Sequence, residues 1–381
     1  MSVPTLWYSR CPAPTAASIA IRNGWLAEEF AEDGIAVASL AASTDKDVHL
    51  SHYLHSQPNS FRFGGYIPPL ITRSRGTDVR LVGMSWPDRV SEMVVLADSP
   101  IKTAADLKGR RLALPRRVND AIDWWQATVR LAYDHALASL NLSDRDVTLI
   151  DIAIKREYVE DATRGANQGL SLWGARSQFA VQREEAAALI RGEVDAIYTD
   201  AAMGALLKAS YGFRPVLKFE TSEDAPGPKF GTPSVLTVSG ALLDEHPDIV
   251  VRWIERLLAA NAWSQGHPET ATQIIARDTG LPEDFVFDAY SPRVLGQLDI
   301  SLSEQRVALL QQKHDALLVH GFLAKPINFS TFIDPVPLRQ AQLAASIRPL
   351  EPQLQSRPIP RETTSQQSDS ITSTPENHVT P

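Results

Sequence analysis

Apolar and polar positions along this chain follow two periods in turn. Short runs rich in β-branched and aromatic residues, "TLWY" (5–8), "IAVASLA" (35–41), "VRLVGMSW" (79–86) and "SEMVVLA" (91–97), predict strands. Between the first two, Ile19, Ile21, Trp25, Leu26 and Phe30 recur at near-helical spacing, which predicts a helix over 14–32 before Gly34. A less regular stretch rich in His, Ser and Pro then leads to "RFGGYIPPLI" (62–71). Near residue 98 the character changes: "DSPIKTAADLKGRRLALP" (98–115) reads as a connection, a short helix and a new strand. A helix over 118–141, a strand over 147–154, a helix–turn–strand over 184–200 and a strand over 214–219 continue this second unit. "PSVLTVSG" (233–240) is expected to carry the chain back to the first unit, and helices follow at 246–265, 268–278 and 302–320.

Repeated alternation of strand and helix is the signature of an α/β fold with largely parallel sheets. The expected architecture is bilobal: lobe I from 1–97 plus 230–350, lobe II from the inserted 98–229, and a ligand cleft between them at strand C-terminal ends. Residues 155–182 are glycine-spaced and weakly patterned, which suits a lid or binding loop. From 351 to 381 the chain turns to Pro, Ser, Thr and Gln, with little to bury, and that tail is expected to be disordered.

Composition narrows the function. With 44% hydrophobic and 22% charged residues and a net charge of −8, this is the profile of a globular protein with no basic run for nucleic acid or anionic lipid. The N-terminal "MSVPTLWYSRC" has no basic region, apolar run or cleavage site of a signal peptide, and no stretch reaches about 18 apolar residues. A cytoplasmic monomer without nucleic-acid or membrane partners is the expectation. One cysteine cannot form an internal disulfide, and its free thiol asks for an explanation.

That thiol, Cys11, stands in "YSRCPAP" (8–14), after a strand end and before Pro12 and Pro14, which suit the first turn of a helix. There it would meet free backbone N–H groups and the positive end of a helix dipole, both of which favour a thiolate; the alternative is a buried, inert cysteine. A second constellation is "DVHLSHYLHSQPNSFRFGG" (47–65), with three histidines, a Gln, an Arg and a Gly pair. A histidine can exchange a proton with a thiol, an arginine can grip two oxygens of an oxyanion, and Gly64-Gly65 would let backbone N–H groups approach a ligand. His49, His52 and His55 could instead direct metal ligands to one side, but no carboxylate pair or second His cluster accompanies them, so no metal is expected. The surroundings of Ser177 lack a nucleophile elbow, and no dinucleotide or phosphate-loop motif appears, so no cofactor is expected. Asp195 and Asp200 could face the cleft, and Trp124 or Trp125 could stack on an aromatic ligand.

Together, "YSRCPAP" and "HYLHSQPNSFRFGGYIPPL" resemble the 2'-hydroxybiphenyl-2-sulfinate desulfinase family of cysteine-dependent aryl sulfinate desulfinases. The similarity continues more loosely through "GEVDAIYTD" to about residue 265, in motifs shared with periplasmic-binding-protein-like type II folds for sulfonates and thiamine precursors. The resemblance implies a hydrolase that cleaves the C–S bond of an aromatic sulfinate and releases sulfite. Carried over by position, Cys11 would be the catalytic thiol, His52 its hydrogen-bonding partner, and Arg62 the grip on the sulfinate oxygens, with Gly65 offering a backbone N–H. Ser9, Gln57, Gly64 and His55 would complete the substrate site, His55 standing where the family has Tyr. Two routes fit these residues: Cys11 attacks sulfur, or it protonates the ring carbon that bears sulfur. A non-catalytic binding protein for a sulfonate or related small anion is the alternative from another class.

Overall fold

The computed structural model describes residues 3–159, 181–225 and 229–347. Most of the lid expected at 155–182, and all of the tail at 351–381, lie outside the described residues. Among those described, the strands are β1 (Thr5–Arg10), β2 (Ala36–Ser39), β3 (Ser60–Gly65), β4 (Val79–Ser85), β5 (Ser91–Val95), β6 (Arg111–Arg117), β7 (Thr148–Ile154), β8 (Ile197–Asp200), β9 (Arg214–Lys218) and β10 (Ser234–Ser239). The helices that shape the site are α1 (Ala16–Arg22), α2 (Trp25–Ala31), α3 (Lys46–Leu54), α4 (Ile67–Ser74) and α5 (Trp124–Ser139).

One sheet has the order β2-β1-β3-β10-β4, with β1 parallel to its neighbours and β10 antiparallel to β3 and β4. In the second region β5 lies antiparallel between β8 and β9, and β6 pairs parallel with β7. A parallel bridge between Leu112 and Ala196 ties that pair to the residues leading into β8. The placement of β5 corrects the expected boundary at residue 97, because all its strand partners belong to the second region. An apolar run announces a buried strand but not the sheet that will bury it. The helix Glu304–Val319 likewise packs on α5 rather than on the first sheet alone, its Leu310 and Leu317 sharing a core with Trp125 and Ala132.

Local differences from expectation have local causes. The helix expected over 14–32 is broken at Gly24, which takes the left-handed φ of 79° that glycine tolerates, giving α1 and α2. Helix α1 begins only at Ala16, so Pro12 and Pro14 lie ahead of it rather than in its first turn. The "irregular" histidine-rich stretch contains α3, started by the Asp45 side chain accepting from the Asp47 N–H. Its buried residues are Ser51 and Tyr53, which leave no apolar stripe to read. Pro68 and Pro69 open α4, where missing N–H groups cost nothing.

The site depends on β3. Phe61 and Phe63 are buried on one face, with Trp253 stacked on Phe61 at 4.1 Å between ring centroids. Because strand side chains alternate, Arg62 and Gly64 fall on the other face, toward Cys11 at the end of β1.

Candidate active site

Cys11 follows β1 directly, and its backbone N–H donates to the Phe63 carbonyl of β3 at 3.1 Å. Ala13 then donates back to the Cys11 carbonyl at 2.8 Å, closing a tight turn that leaves the thiol half-buried. Gly64 is the reason the sulfur fits: a Cβ there would lie 2.3 Å from Sγ. Any side chain at 64 would push the thiol away.

Arg62 is 3% exposed and spends three of its five N–H groups inside the protein. Nε donates to the His52 carbonyl at 3.0 Å, Nη1 to the Gly65 carbonyl at 2.8 Å, and Nη2 to Cys11 Sγ at 3.3 Å. Among the described residues no carboxylate pairs with it. A buried cation held only by carbonyls and a sulfur is a standing invitation to an anion.

His52 faces the same cavity, and its Nδ1 bonds the Ser9 hydroxyl. Burial first, then the positive charge of Arg62, holds the ring well below its usual pKa, so at neutral pH it is uncharged and can take up a proton. The expected direct link from His52 to the thiol is therefore replaced by two others: Ser9 fixes the ring, and Arg62 touches the sulfur.

The remaining assignments divide. Gly65 lines the cavity as expected of a substrate-site residue, and its carbonyl accepts from Arg62. His55 and Gln57 do not line it. His55 ends α3 in a left-handed conformation, φ 52°, buried between the Tyr53 carbonyl and the Thr237 hydroxyl at 3.2 Å each, and burial with Arg62's charge lowers it to about 3. Gln57 serves the loop through its backbone, donating to Ser51 Oγ and accepting from Ser60 Oγ. His49 bonds the Ser43 carbonyl, so the three histidines turn to three different partners and do not converge.

The cavity opens to solvent, and Cys11, His52 and Arg62 all line it. Trp124 and Trp125 line it, joined by residues the sequence reading had not singled out: Tyr53, Tyr66, Arg89, Tyr158 and Tyr290. Trp124 packs edge-on against Tyr158 and donates to the Tyr53 hydroxyl at 2.9 Å. Trp125 donates to Glu185 at 2.7 Å, and burial pushes that carboxyl up to about 7. Asp200 reaches the cavity as foreseen, but as the partner of Arg89, 3.3 Å away, and of the Ser91 hydroxyl at 2.8 Å. Asp195 instead pairs with Arg111 at 2.7 Å. Tyr158 and Arg89 gave no signal in one dimension, because each lies in a stretch whose residue types are ordinary and whose position is set by long-range pairing.

Two α/β regions around a cavity whose wall holds Arg62, with no carboxylate partner among the described residues, form a periplasmic-binding-protein-like fold of type II. Residues 15–158 match the sequence model described as NMT1/THI5 like. A periplasmic sulfonate-binding protein SsuA from Methylobacillus flagellatus shares the fold, with a TM-score of 0.64 over 91% of this chain and 96% of that one at 17% identity. More specifically, the chain is homologous to 2'-hydroxybiphenyl-2-sulfinate desulfinase of Rhodococcus erythropolis, 29% identical over 87% of this chain and 92% of the relative. It also superposes on a cysteine-to-serine mutant of DSZB in complex with biphenyl-2-sulfinic acid. There the TM-score is 0.69 at 26% identity, covering 89% of this chain and 99% of the other.

Proposed function

We propose that this protein is an aryl sulfinate desulfinase, a hydrolase that converts an aromatic sulfinate and water to the arene and sulfite, with Cys11 as its catalytic residue. The observation that carries the reading is the buried Arg62 guanidinium, without a carboxylate partner among the described residues and against the Cys11 sulfur, at the wall of an aromatic cavity. The homology to a sulfinate desulfinase supports the same substrate class.

In this reading the two N–H groups Arg62 has left hold the sulfinate oxygens, and the aryl group lies among Trp124, Tyr158 and their neighbours. Cys11 gives its proton to the ring carbon bearing sulfur. The C–S electron pair returns to the ring as sulfur dioxide departs, and water adds to the latter to form bisulfite. The proton that water releases passes by way of neutral His52 to the Cys11 thiolate, closing the cycle.

The test is sulfite release from a panel of aryl sulfinates by the wild type and by Cys11→Ser. Cleavage by the wild type, reduced on the order of 10⁴-fold in a folded Cys11→Ser protein, is the expected result. Tight aryl sulfinate binding without sulfite release by the wild type would instead make this a binding protein.

A further inference from the structure

His52, Pro12 and Tyr158 line a second pocket as well as the first, so they form a partition between the two. The pockets differ in chemistry. The first is walled by aromatic rings, whereas the second gathers Arg10, Arg22 and Arg277 around one carboxylate, Asp278, with Ser9 and His49 beside them. The Asp278 side chain is fully buried, accepting from Arg10 at 2.5 and 2.9 Å and from Arg22 Nε at 2.8 Å. Three guanidiniums against one carboxylate leave two positive charges in excess. Arg277 makes no ion pair among the described residues, and Arg22, with its side chain 38% exposed, commits only its Nε. A concave surface lined by one sign of charge concentrates ions of the other.

Resting on the desulfinase reading, we infer that this cationic pocket is a binding site for the inorganic oxyanion product. The reaction makes two products of opposite character. The arene suits the aromatic cavity, and sulfite suits the guanidiniums on the other side of the Ser9–His52 pair. Sulfite bound there no longer occupies the Arg62 position, which is left to the next aryl sulfinate.

The probe is sulfite itself, titrated into the wild type, Arg277→Gln and the double variant Arg22→Gln/Arg277→Gln, with product inhibition measured in parallel. Sulfite binding should weaken about tenfold or more in the double variant, while KM for the aryl sulfinate stays within about twofold. In the wild type, sulfite should inhibit without competing with the aryl sulfinate. Arg277→Glu, an exposed change with no ion-pair partner among the described residues, should weaken sulfite binding in the same direction and guards against a folding defect in Arg22→Gln. Sulfite that competes fully with the aryl sulfinate and binds equally well to every variant overturns the inference. Arginine-dependent sulfite binding with no sulfinate cleaved would uphold the oxyanion site and refute the desulfinase reading.

Discussion

Two arginines line the aromatic cavity, one from each sheet region, and they are buried on different terms. Arg89, ahead of β5, faces Asp200 across 3.3 Å, and Ser91 satisfies the other carboxylate oxygen. Arg62, on β3, has carbonyls, a thiol and no carboxylate among the described residues. A buried ion pair is a finished structure, whose loss of one member strands the other. A buried cation without a counter-ion is unfinished until a ligand arrives. Proximity to a cavity therefore does not make an arginine a ligand-binding residue; its partners decide.

The comparison is broken most directly by removing each charge. Arg89→Met leaves Asp200 buried and unpaired and should lower stability by about 3–5 kcal/mol in chemical denaturation. Arg62→Met should cost far less stability, because it strands no carboxylate, yet reduce sulfite release from an aryl sulfinate by about 10²–10³-fold. Equal stability losses for the two variants would show that Arg62 is structural in the same sense as Arg89.

Gly64 sharpens the same contrast at the scale of one methyl group. Gly64→Ala places Cβ within 2.3 Å of Sγ, so the thiol must leave Arg62. Stability should fall by about 1–3 kcal/mol, and sulfite release by about 10²-fold. Unchanged kinetics would mean that the contact between Cys11 and Arg62 is dispensable.

The smallest effect concerns buried groups behind the two walls. His52 and His55 are both held below their unfolded value of 6.5, His55 at about 3, so as the pH falls through 6.5 the unfolded chain takes up protons that the folded protein resists. Glu185, pushed up to about 7 from 4.5, keeps its proton when folded and loses it when unfolded between those two values. The two histidines thus make stability fall on acidification, and Glu185 opposes them. Glu185→Gln retains an acceptor for Trp125 but removes the opposing term, so the decline should steepen by about 1.4 kcal/mol per pH unit. Denaturation midpoints for the two proteins at intervals between pH 6.5 and 5 measure it; parallel curves would place Glu185's carboxyl near its ordinary range.

Much of this arrangement was legible in one dimension because it is local. The apolar runs marked most of the strands, and a cysteine after β1 together with an Arg-Phe-Gly-Gly run nominated the thiol and its cation, whereas the room that Gly64 makes for the sulfur came only with the structure. Strand β3 was not among the predicted strands, since its residues fell in the stretch read as irregular; once it forms, period-two alternation with Phe61 and Phe63 inward puts Arg62 and Gly64 on the same face. The helix α3 was hidden for a physical reason: it buries a serine and a tyrosine, and its cap and hydrogen bonds rather than an apolar stripe define it.

What only the tertiary structure decided is which polar groups meet. Residue types and spacing could nominate His52, His55 and Gln57 equally, but the turn after α3 sends His55 to Thr237 on β10 and leaves His52 facing Ser9 across the end of β1. The same holds for Arg89 with Asp200 and for Arg10 and Arg22 with Asp278, pairs separated by more than a hundred residues along the chain. Local sequence sets the conformation of each segment, whereas a buried charge takes its meaning from partners that only strand pairing and burial can deliver.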